Sequence, residues 1–398
     1  MNNSPLKIAI GVHGRFHAFG LAAGLLALGH DVTVFTNYPA TVAARFGLPA
    51  ERVRGFVLHG VVVRLVARLK LGQIFPALDA WLHGWFGSWL ARRLTAQRWD
   101  ATYTWSSVSE EYLKRPRVSE ARLMARGSTH IRSQWRVLHD EELRAGCEIE
   151  KPAEAIMRRE ECEYGLADAV VVLSSFSRQS FLEAGHSPER VRLMVSAVHT
   201  ADFAVTPVAL EARRRRLTSG EPLRILNVGT LSFRKGALDL AAVVRALPAD
   251  RFQIRFVGTV APEAAPLAEA VGIRIEWVAR VPQNELKEHY EWADVFVLPS
   301  IEEGLAAVLP QAAAAGLLVL ATPNSGAEDV IRDGQSGWIL PARDASAFVQ
   351  KLTWIDQHRI EAAAMLDDAE RRANSRDWRD AAEDFAGICR DIRQKRNL

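Results

Sequence analysis

The chain has 398 residues, 48% hydrophobic and 24% charged, with a net charge of +3. That length is too great for one ordinary domain and suits two, each able to bury its own core. The balance is that of a globular protein and argues against a disordered or fibrous chain. The N-terminus does not read as a secretory signal, and no segment approaches the roughly 20 consecutive apolar residues of a membrane span. Cys147, Cys162 and Cys389 lack metal-like or redox-like spacing, so reduced thiols in a cytoplasm, and no metal site, are expected. The charge is unevenly divided. Residues 1–200 carry 25 Lys and Arg against 19 Asp and Glu, a net of +6, and residues 201–398 carry 25 against 28, a net of −3. A basic first half suits an anionic partner such as a phospholipid surface or a lipid-linked phosphate. Scattered surface arginines are the competing explanation.

Taken in chain order, Lys7–Val12 and Asp31–Thr36 read as strands flanking an amphipathic helix from His17 to Gly29. Further strands are expected at Val61–Val66, Asp100–Trp105, Arg122–Ala125, Ala169–Leu173 and Val191–Val195, with helices at Pro76–Gln97, Ser133–Ala145 and Pro152–Leu166. Asp202–Pro222, with two prolines and the run Arg213–Arg216, reads as an irregular, solvated connector. That run lacks interleaved aromatic residues, so no nucleic-acid partner is expected. The alternation resumes with strands Leu223–Val228, Phe252–Val257, Ile273–Val278, Asp294–Leu298 and Leu317–Ala321. Helices are expected near Gly236–Leu247, Asn284–Trp292, Val308–Ala315, Ala345–Asp356 and Trp378–Arg396. Nearly all-apolar strands alternating with helices imply parallel sheets covered on both faces. The expected α/β architecture is two doubly wound domains: residues 1–205, a connector at 206–222, a second domain at 223–376, and a last helix at 377–398 with no assigned docking face.

Two segments carry the chemistry. In Ile225–Gly236 a buried strand ends at Gly229, a loop carries Arg234 and Lys235, and a helix opens at Gly236. Two cations at a helix N-terminus suit a pyrophosphate. They would stabilise a nucleoside diphosphate leaving in the transition state. In Pro299–Gly316 a strand is followed by the acidic pair Glu302–Glu303, then Gly304 and Leu305, before an alanine-rich helix. Carboxylates there accept hydrogen bonds from sugar hydroxyls, while backbone N–H groups after Gly304 face the same ligand. Acidic residues before helices also serve as plain caps.

Together these segments resemble the glycosyltransferase group 1 family, retaining enzymes of the GT-B fold with two facing Rossmann-like domains. Lys235-Gly236 matches the family's Lys-Gly pair, and Pro299–Gly304 its Pro-Ser-x-x-Glu-Gly motif with Glu303 as the glutamate. Ala321–Leu340, Gly14–Phe19, Arg126–Gln134 and Ala167–Phe176 are similar to members from bacterial polysaccharide gene clusters, such as those for capsule or lipopolysaccharide. The resemblance covers nearly the whole chain. It implies a nucleotide-sugar donor (a UDP-, GDP- or dTDP-sugar) on the second domain, no cofactor, and a glycan or lipid-linked acceptor on the first. Arg234 and Lys235 are expected at the donor pyrophosphate and Glu303 at the donor sugar. Gly14 lies in a loop closing over the phosphates, and His130 matches a family histidine near the reacting sugar. A histidine that merely caps or packs is the alternative for His130. Catalysis without a metal and with retention are likewise implied.

The sequence departs from the family pattern at three places. The second motif glutamate is Gln311, the basic residue usual after the strand glycine is Thr230, and Val195–His199 replaces the segment usual before the connector. Gln311 and Thr230 keep open a catalytically silent relative acting as a partner protein, and the shared fold keeps open a nucleotide-sugar 2-epimerase. Six of the eleven tryptophans lie between Trp81 and Trp135. Trp81, Trp85 and Trp89, followed by Arg92-Arg93, suit either a helix lying on an anionic membrane or one packed against its own sheet. A cytoplasmic protein is expected, peripheral on the inner face of the membrane under the first of these alternatives.

Overall fold

Runs of Val, Ile, Leu and Ala too short for helices, bounded by Gly, Asp and Ser, form buried parallel strands whose crossovers are helical. The computed structural model describes residues 4–69, 71, 77–116, 119–373 and 376–396. Its first sheet comprises β1 (Lys7–Val12), β2 (Asp31–Thr36), β3 (Val53–Gly55), β4 (Ala101–Trp105), β5 (Ala121–Arg126), β6 (Ala169–Val172) and β7 (Val191–Leu193). They lie in the order β3-β2-β1-β4-β5-β6-β7, all parallel. The second comprises β8 (Leu223–Leu231), β9 (Phe252–Val260), β10 (Ile275–Ala279), β11 (Val295–Leu298), β12 (Leu318–Ala321) and β13 (Gly337–Ile339). Their order is β10-β9-β8-β11-β12-β13, again all parallel. In each sheet the winding direction reverses once, between β1 and β4 and between β8 and β11. Ligands of such sheets bind beyond the carboxyl ends of the strands at that reversal.

The terminal helix Trp378–Arg396 belongs physically to the first domain. Phe385, Ala386, Ile388 and Cys389 join that core, and the ring of Phe385 lies 4.7 Å from that of Tyr103. Gly20 and Gly24 of the Ala18–Ala27 helix allow the approach, since a Cβ on Gly20 would sit 2.2 Å from the Trp378 ring. The chain therefore crosses between the domains twice, after β7 and again before Trp378. The crossings are tied together where Arg376 donates from Nε (3.2 Å) and Nη2 (3.1 Å) to the Val195 carbonyl.

Three expectations are corrected. Val61–Val66 is not a strand but part of the helix Val57–Arg68. A β-branched run is ambiguous by itself, and Gly60 lets the helix seat against the Asn37 carbonyl, where a Cβ would be 2.2 Å away. Two three-residue strands, β3 and β13, were too short to leave a pattern. The connector is not irregular: Pro207–Ser219 is a helix, with the Thr206 hydroxyl accepting from Ala209 N, Pro207 in its first turn and Gly220 left-handed (φ 80°) at its end.

Nor is its arginine run solvated. Arg213 is fully buried and donates to the carbonyls of Ala293 (2.8 Å), Ala315 (2.9 Å), Gly316 (2.9 Å) and Tyr290 (3.0 Å). Arg216 pairs with the buried Asp294 at 2.8 Å. Burial lowers the Arg213 pKa to about 10, which leaves the guanidinium charged at neutral pH. Arg213→Ala strands four carbonyls and opens a void, so it should destabilise the second domain by about 2–4 kcal/mol in urea unfolding. A change under about 0.5 kcal/mol would refute this role for Arg213.

Candidate active site

The reversal between β8 and β11 sets the site. Gly229 and Gly258 pair in register across β8 and β9, both in backbone regions that favour glycine (φ 141° and 150°). A Cβ on Gly258 would lie 1.6 Å from the Gly229 carbonyl, so the two strands stay in register past the glycines, beyond the strand end expected at Gly229. They floor a cleft of about 740 Å³ whose other walls include Thr230, Lys235, Arg280 and Gln311. Arg15 and Phe46 reach the same cleft from the first domain, with the Arg15 guanidinium 4.2 Å from the Phe46 ring centre.

Beyond β8 the chain makes a tight turn, Phe233–Lys235, and Gly236 (φ 77°) turns it into the helix Ala237–Ala246. Gly236 touches the Pro299 carbonyl, where a Cβ would be 1.9 Å away, so the two candidate segments are locked backbone to backbone. The Arg234 carbonyl also accepts from Ile301 N (2.9 Å) and Glu302 N (3.2 Å). This packing brings the charges together. Lys235 Nζ lies 2.7 Å from Glu303, Arg234 Nη2 lies 3.2 Å from Glu303, and Arg234 Nε lies 3.0 Å from Glu302. Burial opposes the charge on Arg234, but Glu303 and Glu302 outweigh it and hold the guanidinium above its ordinary value. Burial likewise opposes ionisation of Glu302, yet Arg234, Ser128 and Thr129 hold its carboxyl below the usual range. Both are charged at neutral pH.

The remaining expected residues divide. Gln311 is buried at the cleft wall, where its Oε1 accepts from the Tyr290 hydroxyl (2.9 Å), leaving its NH2 group as a donor toward a ligand. The Thr230 hydroxyl lies 3.1 Å from that of Thr259 at the cleft floor. The Gly304 carbonyl accepts from Ser177 Oγ (3.4 Å) and from Ser174 Oγ, both in the first domain, and Leu305 joins the first domain's core. Gly14 lies in the loop after β1, where its carbonyl accepts from the Thr36 hydroxyl (2.8 Å), and the next residue is the cleft-lining Arg15.

His130 does not join the charge cluster. Its Nδ1 caps the Ile131–Ala145 helix by accepting from Arg132 N (3.3 Å). Among the described residues its ring packs against Tyr164, Phe181 and His186 of the first domain. Burial, then His186 and Arg126, lower its pKa to about 4, so the imidazole is neutral at pH 7. Its ring signals should keep their neutral positions down to about pH 5 in an NMR titration. A midpoint near the ordinary 6.5 would show that the ring leaves this packing.

Sequence reasoning missed Arg15 and Arg280, and it grouped Glu302 with Glu303 toward a sugar, whereas the Glu302 carboxylate accepts from Ser128, Thr129 and Gln134 of the first domain. Arg280 immediately follows β10, so the strand-end rule applied to β8 and β11 would have found it. The cross-domain role of Glu302 left no local signal, because its partners in the first domain lie more than 160 residues away in the chain. Among the described residues, no group of three or more His, Cys, Asp or Glu is placed to hold a metal.

Residues 222–357 match the family model for glycosyl transferases group 1. The chain is similar to the putative colanic acid biosynthesis glycosyltransferase WcaL of Salmonella typhimurium, 32% identical over 197 residues, which are 46% of this chain and 47% of the relative. The chain thus spans about half the length of that relative. Two solved structures share the whole architecture. The Anabaena protein HepE in complex with UDP has a TM-score of 0.67 at 14% identity, covering 97% of this chain and 100% of that one. A glycosyltransferase from Rickettsia africae has a TM-score of 0.69 at 16% identity, covering 98% and 99%. The fold is GT-B, and the match to the glycosyl transferases group 1 model lies in the second domain.

Proposed function

We propose that the protein transfers a sugar from a nucleotide-sugar donor to an acceptor glycan in cell-surface polysaccharide synthesis. The observation that carries this reading is the pair Arg234–Lys235, held on a locked turn before a helix N-terminus, beside a cleft floored by Gly229 and Gly258. The cleft suits the nucleoside, with Gln311 and Arg280 as polar contacts. Lys235 lines the cleft and meets the diphosphate directly, and Arg234 adds charge behind it. Glu303, between the two cations, is placed for the hydroxyls of the donor sugar. A nucleoside diphosphate can then leave without a metal, because side-chain cations and the helix end receive its charge. We assign the reaction retention of configuration. The acceptor hydroxyl attacks the anomeric carbon on the side the diphosphate leaves, and a phosphate oxygen takes the hydroxyl proton as the old C–O bond breaks. The UDP bound to HepE and the polysaccharide assignment of WcaL support donor class and pathway respectively.

Lys235→Ala should lower turnover about 10²-fold. Calorimetry with UDP, GDP and dTDP should show tight binding of one nucleotide, lost in an Arg234→Ala, Lys235→Ala double variant. An unchanged rate would overturn the role given to Lys235, and no nucleotide bound by the native protein would overturn the donor site and favour a silent partner protein.

The acceptor is assigned to the first domain and to a lipid carrier at the cytoplasmic face of a membrane. Among the described residues, no helix is long and apolar enough to cross a bilayer. The tryptophan helix, Ala77–Leu94, mostly turns inward: Trp89 packs on Phe35 and Phe56, and Trp85 on Phe56 and His59, while Trp81 is 57% exposed. The outward apolar face belongs instead to the Val57–Arg68 helix, where Leu58, Val61 and Leu65 share one side beside Arg64 and Arg68, all exposed. Such a face suits an anionic bilayer. The protein should co-sediment with anionic liposomes at low salt and release at high salt. Replacing Leu58, Val61 and Leu65 by Ser should abolish binding; retention by that variant would exclude this helix as the contact.

A further inference from the structure

We infer that Glu302 is a positioning residue, seating the 127–130 loop of the first domain on the donor cradle of the second. This rests on the donor-site reading only for its kinetic consequence.

The Glu302 side chain is fully buried, and its carboxylate accepts from both domains. Oε1 accepts from Ser128 Oγ, from Thr129 N (3.3 Å) and from Thr129 Oγ1 (2.8 Å). Oε2 accepts from Gln134 Nε2 (3.3 Å) and from Arg234 Nε (3.0 Å). Four of these five donors belong to the first domain. A carboxylate removed from water is tolerated only when paired and hydrogen-bonded. If the domains part, Glu302 keeps Arg234 alone, so satisfying this carboxylate and closing the cleft are one event.

The loop is gripped from its other side as well. Arg126 donates from Nε to the Thr129 carbonyl (2.9 Å) and from Nη2 to Gln134 Oε1 (2.6 Å), and is itself paired with Glu160 at 3.2 Å. Backbone contact completes the fit, since a Cβ on Gly304 would lie 1.9 Å from the Gly127 carbonyl. Because Arg234 binds Glu302 through Nε and Glu303 through Nη2, the loop of one domain fixes the orientation of a phosphate-binding guanidinium in the other. Glu303 can serve the donor sugar in this arrangement, while Glu302, turned to the other domain, cannot.

The test is a double-mutant cycle in the full-length protein: Glu302→Gln, the pair Ser128→Ala with Thr129→Val, and all three together. Small-angle scattering reads domain closure, calorimetry with UDP reads the cradle, and initial rates give kcat and KM for the donor. Both partial variants should scatter as a more open particle and lose about tenfold in donor kcat/KM, with little further loss when combined. The Ser128 and Thr129 variant, which leaves the cradle intact, should still bind UDP. Additive losses, or native-like scattering in both variants, would overturn the inference. Should Glu302→Gln fail to fold, the pair on the other domain carries the same scattering test. Absence of binding by UDP, GDP and dTDP alike in the native protein would count against the donor reading, while the scattering would still judge Glu302.

Discussion

Where β8 and β11 end, two buried glutamates meet two partly exposed cations at one junction, and the packing of both loops brings them there. Glu302, Glu303, Arg234 and Lys235 form a set with no net charge, which is the condition for holding ionised groups at a desolvated interface. The pairing holds both cations in place without a ligand, which leaves no loose side chains to be ordered should an anion enter under the proposed donor reading. Preorganisation of this kind is what makes fixed charges effective toward an anion that develops during reaction. The glycines serve the same end. Gly236, Gly258 and Gly304 sit where backbone meets backbone, so the loops that carry the charges have no room to drift.

How much of this was legible follows from the range over which each feature is encoded. Strand and helix alternation is local, so most elements were readable within a few residues, and the terminal helix was placed at Trp378–Arg396. That Arg234, Lys235 and Glu303 meet at one sheet end was readable, because a loop after an apolar strand is a local feature. What failed was local ambiguity or distant partnership. The valines of Val61–Val66 suit either conformation, and a distant carbonyl at Asn37 helped decide for a helix. Arg213 looked like linker because its charge stands out in sequence, whereas the carbonyls that bury it come from residues 290–316. The packing of the His130 ring against Tyr164, Phe181 and His186 is likewise announced by no local pattern.

The two interdomain crossings have a mechanical consequence. A single tether would let the domains twist and translate about a point. Here two segments pass side by side, and Arg376 pins one to the carbonyl of Val195 in the other. Two adjacent tethers joined in this way behave as a door hinge, with one soft rotation and the rest stiff. Two crossings pinned together restrict twisting and sliding of one domain on the other, and so limit the orientations in which Ser128 and Thr129 meet Glu302.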